Sequence, residues 1–103
     1  MKKRLIFLII LKFSFFLPLK SDEIFTKGKE IFLNKGNCAT CHSLKNAGSN
    51  ANIGPSLDVI KPDISRVKMA VINGIGVMPS ALEILDEDEI DAVSYYVSIS
   101  SNN

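Results

Sequence analysis

The chain has 103 residues, 47% of them apolar and 22% charged, with four Pro and six Gly; that composition suits one globular domain and excludes a multidomain enzyme or a disordered chain. A formal net charge of +1 hides an asymmetry, because residues 1–21 hold five basic and no acidic side chains while residues 22–103 hold seven basic and eleven acidic, a net charge of −4. An acidic body without a Lys/Arg cluster repels a phosphate backbone, which argues against nucleic acid and for a cationic or weakly bound protein partner.

The chain opens on Lys2-Lys3-Arg4, followed by an apolar run over residues 5–11 that continues past Lys12 to Leu17. This is the pattern of a secretory signal peptide, so the expected division is a leader over residues 1–21, cut after Ser21, and one domain over residues 22–103 in the periplasm. Thirteen positions interrupted by a lysine fall short of the roughly 20 apolar residues of a membrane span. No A-x-A cleavage box precedes Ser21, so the alternative is an uncleaved anchor, and membrane contact is expected only if this segment is retained. The 82 residues that remain lie near the size at which a hydrophobic core needs a staple. A disulfide between Cys38 and Cys41 would close too short a loop to serve as one.

Helical spacing over residues 22–33 brings Ile24, Gly28, Ile31 and Phe32 to one side, with Asp22 as N-cap and a stop at Asn34-Lys35-Gly36. Gly28 inside that helix costs about 1 kcal/mol relative to Ala, which predicts a close neighbour. No period-2 alternation is present, so no strand is expected, and residues 46–52, rich in Asn, Gly and Ser, read as an irregular loop.

Chemistry concentrates in Cys38-Ala39-Thr40-Cys41-His42. Thiols at i and i+3 share one face of a helical turn, where both can add to the vinyl groups of one haem while the next residue offers an imidazole to its iron. Three other readings fail. A thioredoxin-type dithiol needs a preceding strand and a βαβ context; structural zinc needs four ligands, and two Cys with one His supply three; a plain disulfide constrains little. Covalent haem also supplies the missing staple.

A second helix starts at Asp63 after Pro62, runs through Ile64, Val67, Ala70 and Val71, and ends at Asn73-Gly74. Met69 is expected in the core beside Val67 and Val71. Met78 follows in a loop whose two glycines, Gly74 and Gly76, permit unusual backbone angles and whose Pro79 stiffens the exit. A soft thioether presented there is the candidate sixth ligand to haem iron. The third helix opens with Asp86 as N-cap, Glu89 as its capping-box partner and Leu85 with Ile90 as a hydrophobic staple, and lays Val93, Tyr96, Val97 and Ser100 along one face. Glu87, Asp88, Glu89 and Asp91 then fall in or beside a first helical turn, where the macrodipole favours solvated anions over a metal site.

Together these residues resemble class I cytochrome c, in particular its short bacterial monohaem members, across residues 22–103. The resemblance rests on Cys38-Ala39-Thr40-Cys41-His42, on Gly28 with Phe32, on Gly54-Pro55-Ser56-Leu57, on Gly76-Val77-Met78-Pro79 and on Tyr96-Val97. It implies an all-α fold, a small cytochrome c domain of three main helices wrapped around one covalently attached haem c. It further implies that the first and last helices cross at Gly28, Phe32 and Tyr96, and that the Pro55 carbonyl accepts the His42 Nδ1 proton.

The function so implied is a periplasmic carrier of single electrons between redox partner proteins, with His42 and Met78 on the iron, no small-molecule substrate and no enzymatic step. The alternatives are a haem-based ligand-binding or sensor protein with an open sixth site, and a haem subunit of a larger dehydrogenase or oxidase. The acidic body departs from relatives that ring the haem edge with lysine, and the loop between His42 and Pro55 is short. Lys27, Lys29, Lys35 and Lys45 read as scattered, solvated side chains.

Overall fold

A computed structural model describes residues 20–103; the expected leader over residues 1–21 lies, except for its last two residues, outside them. The described chain folds into four helices: α1 (Ser21–Leu33), the single turn α2 (Leu57–Ile60), α3 (Ile64–Asn73) and α4 (Glu87–Ser101). Between α1 and α2 run a 3-10 turn at Cys38–Thr40, strand β1 (Ser43–Leu44), a second 3-10 turn at Lys45–Ala47 and strand β2 (Ser49–Asn50).

Helix α1 begins earlier than the acidic pair suggests. Its N-cap is Lys20, whose carbonyl accepts from the Glu23 and Ile24 amides at 3.0 and 3.1 Å, so Asp22 lies inside the first turn. There it needs no capping bond, because its charge is favoured by the unpaired amides of the helix start. Gly28 faces α4 so closely that an added Cβ would strike the Ala92 carbonyl and come within 2.5 Å of Tyr96 Cβ. This crossing explains the glycine, which gives up helix propensity to let two backbones meet. Phe32 and Tyr96 are fully buried beside it. Phe25 meets the Tyr96 ring edge-on, at 4.9 Å between centroids and 68° between planes, the geometry aromatic quadrupoles prefer, and Phe32 meets it tilted, at 5.8 Å and 60°.

Helix α3 is capped by Asp63, whose side chain accepts from the Arg66 amide at 2.9 Å, and it ends at Gly74 with φ of 72°. Val67 and Val71 are buried, but Met69 is 64% exposed, which corrects its expected place in the core. At 100° per residue Met69 lies about 200° around the helix from both valines, on the side turned away from them. Helix α4 has the expected capping box, with the Glu89 amide donating to Asp86 at 2.9 Å and the Asp86 amide donating to Glu89 at 3.0 Å. Leu85 and Ile90, the staple pair, are both buried. Lys68 of α3 pairs with Asp91 of α4 at 2.7 Å. Ser94 and Ser98, at i+3 and i+7 from Asp91, are both buried. Lys61 donates from Nζ to the Ser101 carbonyl at 2.9 Å, at the negative end of α4.

The irregular loop expected over residues 46–52 instead contains part of a minimal antiparallel ladder, pairing Ser43 with Asn50 and Leu44 with Ser49. Two-residue strands are too short to show the period-2 pattern that announces a strand. Tertiary contacts hold this hairpin: Leu44 is fully buried, and the Tyr96 hydroxyl donates to Asn46 Oδ1 at 2.8 Å.

Candidate haem site

After α1 the chain turns through Asn37, which adopts left-handed φ of 56°, into the 3-10 turn that begins at Cys38. The Cys41 and His42 amides both donate to the Cys38 carbonyl, at 3.2 and 3.0 Å, so a single turn sets the two sulfurs and the imidazole in fixed succession. Both cysteines are free thiols and half-buried. Burial pushes the Cys38 thiol up to about 11.

His42 is held on two sides. Its Nδ1 donates to the Pro55 carbonyl at 2.8 Å, the acceptor that the resemblance implies, and this fixes the tautomer that leaves Nε2 as the ring's acceptor nitrogen. Gly54 lies against the ring face, where an added Cβ would come within 2.6 Å of Cε1 and 2.9 Å of Nδ1. The Gly54 amide also donates to the Cys41 carbonyl at 2.7 Å. Gly54 is therefore a site residue that sequence reading assigned no role, although its place before Pro55 in Gly54-Pro55-Ser56-Leu57 was a signal that could have found it.

Met78 lies in the loop between α3 and α4 and is half-buried against the core. It exchanges backbone hydrogen bonds with Ile75 at 2.9 and 3.0 Å across a tight turn, in which Gly74 and Gly76 take positive φ of 72° and 55°. The loop is fastened to α3 by the Ala81 amide on the Val71 carbonyl at 2.8 Å and the Ser80 hydroxyl on the Ile72 carbonyl at 2.6 Å. Among the described residues no group of three or more His, Cys, Asp or Glu side chains gathers to hold a bare metal ion.

The acidic first turn of α4 departs in part from solvated anions. Glu89 is only 13% exposed and both its oxygens accept from Lys35 Nζ at 2.8 Å, while Asp91 holds Lys68. Lys35 is thus no scattered lysine. The donated Asp86 amide, and then Lys35, hold the Glu89 carboxyl below its usual range.

The donor set fits haem c: two free thiols at i and i+3, an imidazole whose Nδ1 is already engaged, and a glycine that offers that ring no side chain to strike. Comparison with known proteins points the same way. The family model described as cytochrome c oxidase, cbb3-type, subunit III matches residues 23–97. Cytochrome c6 of Cladophora glomerata is 38% identical over 81 residues, 73% of this chain and 87% of that protein. Cytochrome c6 of Bryopsis maxima is 34% identical over 80 residues, 68% of this chain and 84% of that one. Among solved structures, the c-type cytochrome SorU from Sinorhizobium meliloti aligns with a TM-score of 0.74 at 46% identity, covering 78% of this chain and 93% of SorU. The chain belongs to the cytochrome c family, as a class I monohaem electron-transfer protein with a covalently bound haem c.

Proposed function

We propose that the protein carries single electrons in the periplasm between two redox proteins, with haem attached at Cys38 and Cys41 and iron held by His42 and Met78. The haem supplies the one-electron iron couple when bound. The protein's own residues keep the ligand set the same in both oxidation states. Pro55 aims the imidazole and raises its basicity through the Nδ1 hydrogen bond. The Ile75–Met78 turn holds the thioether against the core, and a thioether ligand raises the potential relative to a second imidazole. The observation that carries this reading is the fixed His42 ring, with one nitrogen engaged by Pro55 and the other left to coordinate.

Met78→Ala tests it. The holoprotein variant should lose the methionine-to-iron charge-transfer band, show a lower midpoint potential, and bind carbon monoxide when reduced. An unchanged potential sinks the Met78 assignment, and carbon monoxide binding by the unaltered reduced protein favours the ligand-binding alternative. Export rests on the basic and apolar leader in the sequence, and cell fractionation checks it.

The matched family model is named for an oxidase subunit, which favours a second reading as a haem subunit of a larger complex. Among the described residues no helix is long and apolar enough to cross a membrane. Size-exclusion chromatography of detergent-solubilised membranes and of the soluble fraction separates a subunit from a free carrier.

A further inference from the structure

We propose that Asp58 is a positioning residue for His42: its carboxylate bolts the helical turn that follows Pro55 to the strand that follows His42, and so keeps the Pro55 carbonyl in line with Nδ1. This rests on His42 as a ligand to haem iron, as proposed above.

Pro55 lies thirteen positions after His42, and three hydrogen bonds with that same offset tie the two segments together. The Gly54 amide donates to the Cys41 carbonyl at 2.7 Å, His42 Nδ1 to the Pro55 carbonyl at 2.8 Å, and the Lys45 amide to Asp58 Oδ2 at 2.9 Å. Lys45 opens a 3-10 turn whose N-cap, Leu44, makes no side-chain capping bond. Its amide is one of the donors that a helix start leaves unpaired, and a carboxylate from a distant segment is a strong acceptor for it.

Helix α2 is a single turn, too short to hold its place by its own hydrogen bonds. The Ser56 carbonyl accepts from the Val59 and Ile60 amides at 3.2 and 3.1 Å, so this turn and the adjoining Pro55 move together. Leu57, buried in the core, gives the turn a hold without direction; Asp58 supplies the directional one. Among the described residues no other side-chain hydrogen bond joins residues 43–50 to residues 55–61. With Asp58 gone, the tie at Gly54 becomes a pivot about which the Pro55 carbonyl can swing away from the ring. The Nδ1 bond raises the donor strength of the imidazole. A stronger donor favours the more highly charged, oxidised iron, so a looser bond raises the midpoint potential.

The test uses the full holoprotein and reads two properties of His42: exchange of its Nδ1 proton with solvent, followed by proton NMR of the reduced form, and the midpoint potential. Asp58→Ala should speed that exchange about fivefold, the factor that a typical net hydrogen bond supports, and raise the potential. Asp58→Ser, whose hydroxyl stops one bond short of the Lys45 amide, should do the same while keeping a polar side chain at the helix start. Asp58→Asn keeps an oxygen for that amide and removes the charge, so it should match the wild type in both readouts. Wild-type exchange and potential in Asp58→Ala or Asp58→Ser overturn the proposal, even if the variants unfold earlier. Asp58→Asn moving the potential as far as Asp58→Ala also overturns it, because the charge then acts through space. Wild-type protein without haem-shifted His42 ring protons overturns the ligation reading, and this role with it; shifted ring protons with unmoved variants overturn the role of Asp58 alone.

Discussion

Individual atoms around His42 decide how the site works. The ring is aimed by one acceptor, the Pro55 carbonyl, and by the absence of one carbon, the Cβ that Gly54 lacks. Gly54→Ala would place a methyl group inside contact distance of the ring, so ring or backbone must shift and the Nδ1 bond must stretch. The expected result is a destabilisation of about 1–3 kcal/mol from overpacking and a changed midpoint potential from a weakened hydrogen bond to the ligand. Thermal unfolding and potentiometry of the holoprotein check both, and wild-type values for this variant contradict the role given to Gly54. The attachment motif itself was plain in the sequence, since spacing alone brings Cys38, Cys41 and His42 together. Gly54 was not, because its importance lies in a contact with His42 across eleven residues of intervening loop.

At the scale of elements, the crossing of α1 and α4 shows how a rule of local structure yields to packing. Helix propensity alone predicts that Gly28→Ala stabilises by about 1 kcal/mol. The Ala92 carbonyl and Tyr96 Cβ occupy the space that the methyl group would need, and backbone and Cβ atoms cannot rotate aside. The variant should therefore be destabilised, by about 3 kcal/mol at the upper end of overpacking costs, and urea unfolding gives the sign directly. The α3 cap at Asp63, the capping box of Asp86 with Glu89 and the inward valines were legible because each is written in residues a few positions apart. Met69 shows the limit of such local reading: it neighbours Val67 and Val71 in sequence but not on their face, since two positions along a helix turn the side chain nearly to the opposite side. The β1–β2 ladder and the one-turn α2 were not legible, being too short to carry a period.

For the whole molecule, Tyr96 joins the parts. It fills the α1–α4 crossing with its ring and holds the hairpin through Asn46 with its hydroxyl. Burial pushes its phenol up to about 12 from 10. The unfolded chain then loses this proton before the folded one does, so stability is full below pH 10 and declines as pH rises toward 12. Unfolding midpoints measured across that range should fall for the wild type and fall less for Tyr96→Phe; parallel curves would contradict the assignment. By itself the sequence determined the all-α class, the caps of the two longer later helices, the single site for covalent haem and the candidate ligands, because these depend on residues close together in the chain and on the chemistry of their side chains. Only the tertiary structure decided which lysine meets which carboxylate, why Gly28 and Gly54 must be glycine, and that Met69 faces outward. Those facts are distances between segments far apart in sequence, fixed when α1, the hairpin and the Met78 loop all close against α4.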